Sequence, residues 1–177
     1  MKWSALALAV VAFLLAGCGS GAGTSSELTA ASVSPATVAR QKQEADAICT
    51  QMVIEAHRLG RKALTIDPSR YDSTLEFTTE ALIAPALPVV EQSARELREV
   101  RGEGGEPQLD GYVGMFDPIL SLLEKRVRAG RAGESEEAHA IEVQLIELGQ
   151  IQQTLANQAG LNACKVSLVS AFAHSQS

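Results

Sequence analysis

The chain has 177 residues, with 15 basic against 21 acidic side chains, a net charge of −6 and an aromatic content of 4%. An acidic surface argues against nucleic acid and against electrostatic docking on anionic lipid, and so few aromatics leave little material for a sugar- or base-stacking site. The abundance of Ala, Leu, Val, Glu and Arg favours helices.

The chain opens with Lys2, an apolar run from Trp3 to Leu15, and then Leu15-Ala16-Gly17-Cys18. Charge, a short apolar core and small residues at a cut are the layout of a secretory signal, and the cysteine makes the end look like a bacterial lipobox. The expectation is cleavage after Gly17, a diacylglyceryl group on the Cys18 thiol, and an extracytoplasmic protein held to the cell membrane by that lipid. The run is shorter than the about 20 residues a membrane span needs. Removing residues 1–17 leaves 160 residues with a net charge of −7, enough for one domain and a tether. Residues 18–33 are rich in Gly, Ser, Thr and Ala and read as that tether, roughly 20 Å long as a coil. The domain is expected over residues 34–173.

Ser34-Pro35 has the chemistry of a helix start, Ser as N-cap and Pro in the first turn. Apolar residues at helical spacing follow through Cys49, Met52 and Leu59 to Ile66, and Asp67-Pro68 ends the helix. Ser73-Thr74-Leu75-Glu76 matches a capping box for a second helix. Pro85 and Pro88 lie inside it, so a bend or break is expected between Leu82 and Val89. Gly102 to Gly105 reads as a loop. A third helix is expected from Glu106-Pro107 to a stop at Gly130, bent at Pro118, with Arg126 and Arg128 complementing its C-terminal dipole. Ser135 is the expected cap of a fourth helix with the stripe Ile141, Leu145, Leu148, Ile151, Leu155 and Ala159, ending at Gly160. Leu161 to Phe172 is apolar enough for a further short turn or helix, and the residues after it should fray. Four amphipathic helices with short links indicate an all-α, four-helix up-down bundle; three helices and an irregular second segment is the competing arrangement.

With Cys18 lipidated, Cys49 and Cys164 remain, and outside the cytoplasm such a remainder pairs or stays as two separate buried thiols. Asp46-Ala47-Ile48-Cys49 and Gly160-Leu161-Asn162-Ala163-Cys164 resemble the corresponding segments of an uncharacterised group of actinobacterial secreted lipoproteins. Those are all-α proteins with an Ala-Asp-Ala-Ile-Cys helix and a late Gly-Leu-x-x-Cys. The resemblance covers roughly residues 36–164 and implies a Cys49–Cys164 disulfide and no catalytic residue. In an up-down bundle that bond would tie the first helix to the end of the fourth.

Catalytic and metal motifs are sparse. Glu136-Glu137-Ala138-His139 holds one Glu-x-x-His, whereas a di-iron bundle uses two such pairs and two further glutamates, and position 139 is phased away from the Ile141–Leu148 stripe. His57 is phased toward solvent as well, and His174 lies in the tail; three scattered histidines have no metal-ligand spacing. There is no Gly-x-Ser-x-Gly and no phosphate-cradling glycine pattern. The sequence therefore predicts no enzyme, no metal and no cofactor. Arg95–Arg101 and Arg126–Arg131 are charge-rich segments that suit solvated faces or partner docking. Two function classes follow: a non-catalytic envelope accessory acting through a protein partner, or a small-ligand carrier with a site between helices near Pro85, Pro88 and Pro118.

Overall fold

The computed structural model describes residues 34–102 and 106–165. The expected signal, the expected lipobox at Leu15 to Cys18, the expected tether, the tail beyond Lys165 and His174 lie outside the described residues. Among the described residues the protein is helical and has no strand. The elements are α1 (Pro35–Leu64), α2 (Thr74–Thr78), α3 (Ala84–Arg101), α4 (Pro107–Gly114), α5 (Phe116–Ala132) and α6 (Ser135–Gln158). A π-helical turn, Thr79–Ile83, joins α2 to α3, and 3-10 turns occupy Pro68–Arg70 and Ala163–Lys165.

The helix starts follow local chemistry. Ser34 Oγ accepts from the Thr37 N–H at 3.2 Å and Ser73 Oγ from the Glu76 N–H at 3.1 Å, each satisfying a first-turn donor. Glu76 reaches back one residue further than a capping box requires, to the Asp72 N–H at 2.7 Å. Asp67 caps the 3-10 turn through the Ser69 N–H at 2.9 Å, and that bond holds its carboxyl below the usual range. The fourth-helix cap shifts by one: Ser135 is the first helical residue, and Glu134 precedes it without a side-chain cap bond.

The expected disturbance near the prolines takes the form of a π turn, Thr79–Ile83, which begins upstream of the expected stretch and overlaps it at Leu82 and Ile83. The chain stays helical through Pro85 and Pro88, and the disturbance is the π turn just upstream, where the Ala84 N–H bonds to the Thr79 carbonyl. Pro85 supplies no N–H, and its ring would crowd the carbonyl four residues back; widening the preceding turn relieves both problems without breaking the helix. The expected third helix is two. It breaks at Met115, between α4 and α5, because Pro118 cannot bond to the Gly114 carbonyl and is accommodated instead in the first turn of α5, where N–H groups have no intrahelical partner. Nor does Gly130 stop that helix. The chain runs on to Ala132, and Gly133 takes the left-handed conformation at φ 75°, with the Glu134 N–H on the Ala129 carbonyl at 3.0 Å. Gly160, at φ 71°, ends α6 as expected.

Helix α1 packs along α3, α5 along α6 and α3, and α4 against α6 and α3. One core cluster gathers Cys49 and Met52 of α1, Val90 and Leu97 of α3, Tyr112 of α4 and Phe116 of α5 around Leu161. Tyr112 and Phe116 meet edge to face, centroids 5.6 Å apart, and burying each such side chain contributes about 1.5–3 kcal/mol. A second cluster joins Ile119 and Ala129 of α5 to Ile141 and Leu145 of α6. The phase of α6 departs from the expected stripe after Leu145. Ile151 is 50% exposed, while Gln152 is buried at 6%.

Candidate functional site

Cys49 and Cys164 are joined, with Cα atoms 5.1 Å apart. Cys49 belongs to α1, and Cys164 to the 3-10 turn beyond α6 rather than to the helix itself. The turn is set by Asp46, one helical turn before Cys49, whose Oδ1 accepts from the Ala163 N–H at 2.9 Å. Tyr112 Oη lies 3.2 Å from Cys49 Sγ; a disulfide sulfur has no hydrogen, so the phenol donates. Burial and the nearby Asp46 carboxylate push the Tyr112 phenol strongly upward, so it stays protonated as that donor. Both cysteines are buried. Asp46→Ala leaves the Ala163 N–H without its acceptor and should cost about 1 kcal/mol, read as a lower urea midpoint; an unchanged midpoint would show that the contact contributes nothing.

A second polar cluster surrounds the π turn. Arg126 of α5, 1% exposed, is fully inside. Its Nε donates to Glu142 Oε1 at 2.8 Å and its Nη1 to Thr79 Oγ1 at 2.9 Å. Thr79 in turn donates to the Leu75 carbonyl at 2.7 Å. One turn on, Arg131 grips Glu80 through two nitrogens at 2.6 and 3.2 Å. The segment Arg126–Arg131 is therefore no free surface patch: two of its arginines fasten α5 to the π turn. Hydrophobic periodicity gave no sign of this, because a charged residue at a core phase reads as a solvated one.

The Arg131 hydrogen bond holds the Glu80 carboxyl below its ordinary 4.5. A lowered folded-state value means that the unfolded chain binds the proton more readily, so the pair stabilises above the unfolded value and that stabilisation is lost as pH falls through the folded one. Glu80→Gln should flatten the acid limb of the stability profile below about pH 4.5. Superimposable acid limbs for the two proteins would show that the pair does not couple to folding.

His139 is well exposed at 79%, its Nδ1 3.9 Å from Glu142 Oε2, and His57 is half-buried. Among the described residues no group of three or more His, Cys, Asp or Glu side chains is arranged to hold a metal ion, and no helix is long and apolar enough to cross a membrane.

Two surface features remain. An open groove of about 530 Å³ runs between α1 and α3, lined by Glu44, Ala47, Ile48, Glu96, Glu99 and Val100. It lies apart from Pro85, Pro88 and Pro118. On the outer face of α6, Val143, Ile146 and Ile151 are each 44–50% exposed, and from Leu148 to Gln158 that helix carries no charged residue. Neither the groove nor this face was legible in the sequence, since both depend on which helix lies alongside which. The chain matches no family model, and neither the curated proteins nor the solved structures contain a significant match to it.

Proposed function

We propose that the protein is a lipid-anchored, extracytoplasmic helical module that works without catalysis, by contact with a protein partner in the cell envelope. In this reading Cys18 carries the lipid, residues 18–33 give reach, and the helices form a four-helix up-down bundle. The up-down arrangement is supported by which ends meet: Gln41 of α1 reaches the Val100 and Arg101 carbonyls at the end of α3, and Arg98 of α3 pairs with Asp117 at the start of α5. The observation that carries the partner reading is the outer face of α6. Val143, Ile146 and Ile151 are exposed on it, with Glu147 between them and only apolar, amide and hydroxyl side chains from Leu148 to Gln158, and depletion of charge beside exposed apolar side chains is characteristic of an interface core.

The test is capture of the lipidated protein from its own membranes, with identification of co-purifying proteins. A specific partner lost on Ile146→Glu/Ile151→Glu is the expected result; equal recovery with wild type and variant would sink the assignment to this face. The anchor is tested separately: Cys18→Ala should abolish fatty-acid labelling and leave unprocessed precursor, and wild-type protein that takes no label would overturn the lipoprotein reading.

A further inference from the structure

The groove between α1 and α3 is built from acceptors over an apolar floor. Ile48 and Val100 lie in it, with the carboxylates of Glu44, Glu96 and Glu99 around them, and no lining residue is basic. Gln41 stands one turn before Glu44 at the same helix contact and is only 9% exposed. Its amide nitrogen is committed to the Val100 and Arg101 carbonyls at 3.1 and 3.0 Å. Carbonyls only accept, so those bonds fix the amide orientation, and Gln41 Oε1 is buried with no hydrogen-bond partner among the described residues, beside the groove and not in its lining. Such a group costs free energy until it meets a donor. Among the described residues no cation pairs with a rim carboxylate more closely than 3.9 Å. Arg40 approaches Glu44 only at 3.9 Å, with both side chains well exposed, and such pairs are weak. Arg98 and Arg101 are drawn off to Asp117 and Asp110. Glu96 accepts from the neutral Gln92 at 2.8 Å.

Three carboxylates with no basic residue among the groove's lining, beside the apolar Ile48 and Val100, complement a donor-only cation attached to an apolar body. We propose that this groove seats a basic, amphipathic peptide segment of a partner protein, an apolar side chain resting on Ile48 and Val100 and Lys or Arg side chains meeting the three carboxylates. The proposal rests on the partner-docking reading above but concerns a different surface, so the two fail separately. Exposed ion pairs each contribute up to about a factor of five, so removing two carboxylates should weaken binding about tenfold.

The probe is a short fluorescent Leu-Lys peptide titrated into the full-length, lipidated protein in detergent at physiological salt, read by anisotropy. Glu96→Gln/Glu99→Gln should weaken binding about tenfold, while Glu136→Gln/Glu137→Gln, which removes the same charge from the start of α6, should leave it nearly unchanged. Equal weakening by both would mean diffuse attraction to an acidic protein and would overturn the proposal. So would absence of binding to wild type, or displacement of the peptide by spermidine at matched charge, which would make the groove a small-cation site. The α6 variant Ile146→Glu/Ile151→Glu should bind the probe like wild type, whatever it does to partner capture.

Discussion

Replacing both Cys49 and Cys164 by Ala is expected to cost about 2–5 kcal/mol. The bond spans a sequence separation of 115, and the chain-entropy model gives about 4.7 kcal/mol for a loop near 100 residues, an upper figure because denatured chains retain structure. Against a typical urea dependence, the midpoint should fall by roughly 1–3 M. Part of that loss belongs to Tyr112, whose phenol donates to Cys49 Sγ and would be left buried without an acceptor, at about 1–3 kcal/mol. Making the same cysteine replacements in a Tyr112→Phe background separates the contributions: the remaining loss should shrink but stay large. Circular dichroism during urea unfolding measures both. If the double cysteine variant unfolds at the wild-type midpoint, the disulfide adds no stability. If the loss is the same with Phe at 112, the phenol–sulfur contact adds none.

Gly130→Ala should destabilise the protein, although the same change inside an ordinary helix stabilises it by about 1 kcal/mol. A Cβ at position 130 would fall far inside contact distance of Thr79 Oγ1, and 2.8 Å from Arg126 Nη1 and Thr79 Cγ2. Two of these atoms belong to a buried hydrogen bond, so relief on one side breaks a contact on the other. Overpacking of this kind costs about 1–3 kcal/mol, and the sign of the change is the informative part. In a Thr79→Ala background the obstruction from residue 79 is gone, and Gly130→Ala should cost much less or become stabilising. The double-mutant cycle should give a coupling of about 1 kcal/mol or more. Additive losses would place the strain elsewhere than at the α5 to π-turn contact.

The sequence by itself determined the features that act within a few residues. Ser34, Ser73 and Asp67 fixed where helices and turns begin because a side-chain oxygen satisfies a backbone N–H two or three positions on. Gly160 set the end of α6 because a left-handed residue favours glycine. Counting cysteines left Cys49 and Cys164 paired or separate, the family resemblance implied the pair, and the structure joins them. Tertiary structure decided what depends on a neighbouring helix. Ile141 and Leu145 lead equally well to Leu148 and Ile151 or to Gly149 and Gln152, and only packing against α4 and α5 selects the second path, burying Gln152 and exposing Ile151. The same holds for Arg126 and Gly130. A glycine near a helix end and an arginine in its last turns have ready local explanations, the C-cap and the dipole. Here both are committed to the π turn, a segment about 50 residues earlier in the chain. Pro85 and Pro88 announced that the ladder must change; that it widens at Thr79–Ile83 instead of breaking depends on Arg126, Gly130 and Arg131 receiving Thr79 and Glu80 across the interface. Caps and prolines are local because hydrogen bonds are short. Burial is not, because the face that leaves water is chosen by the surface that meets it.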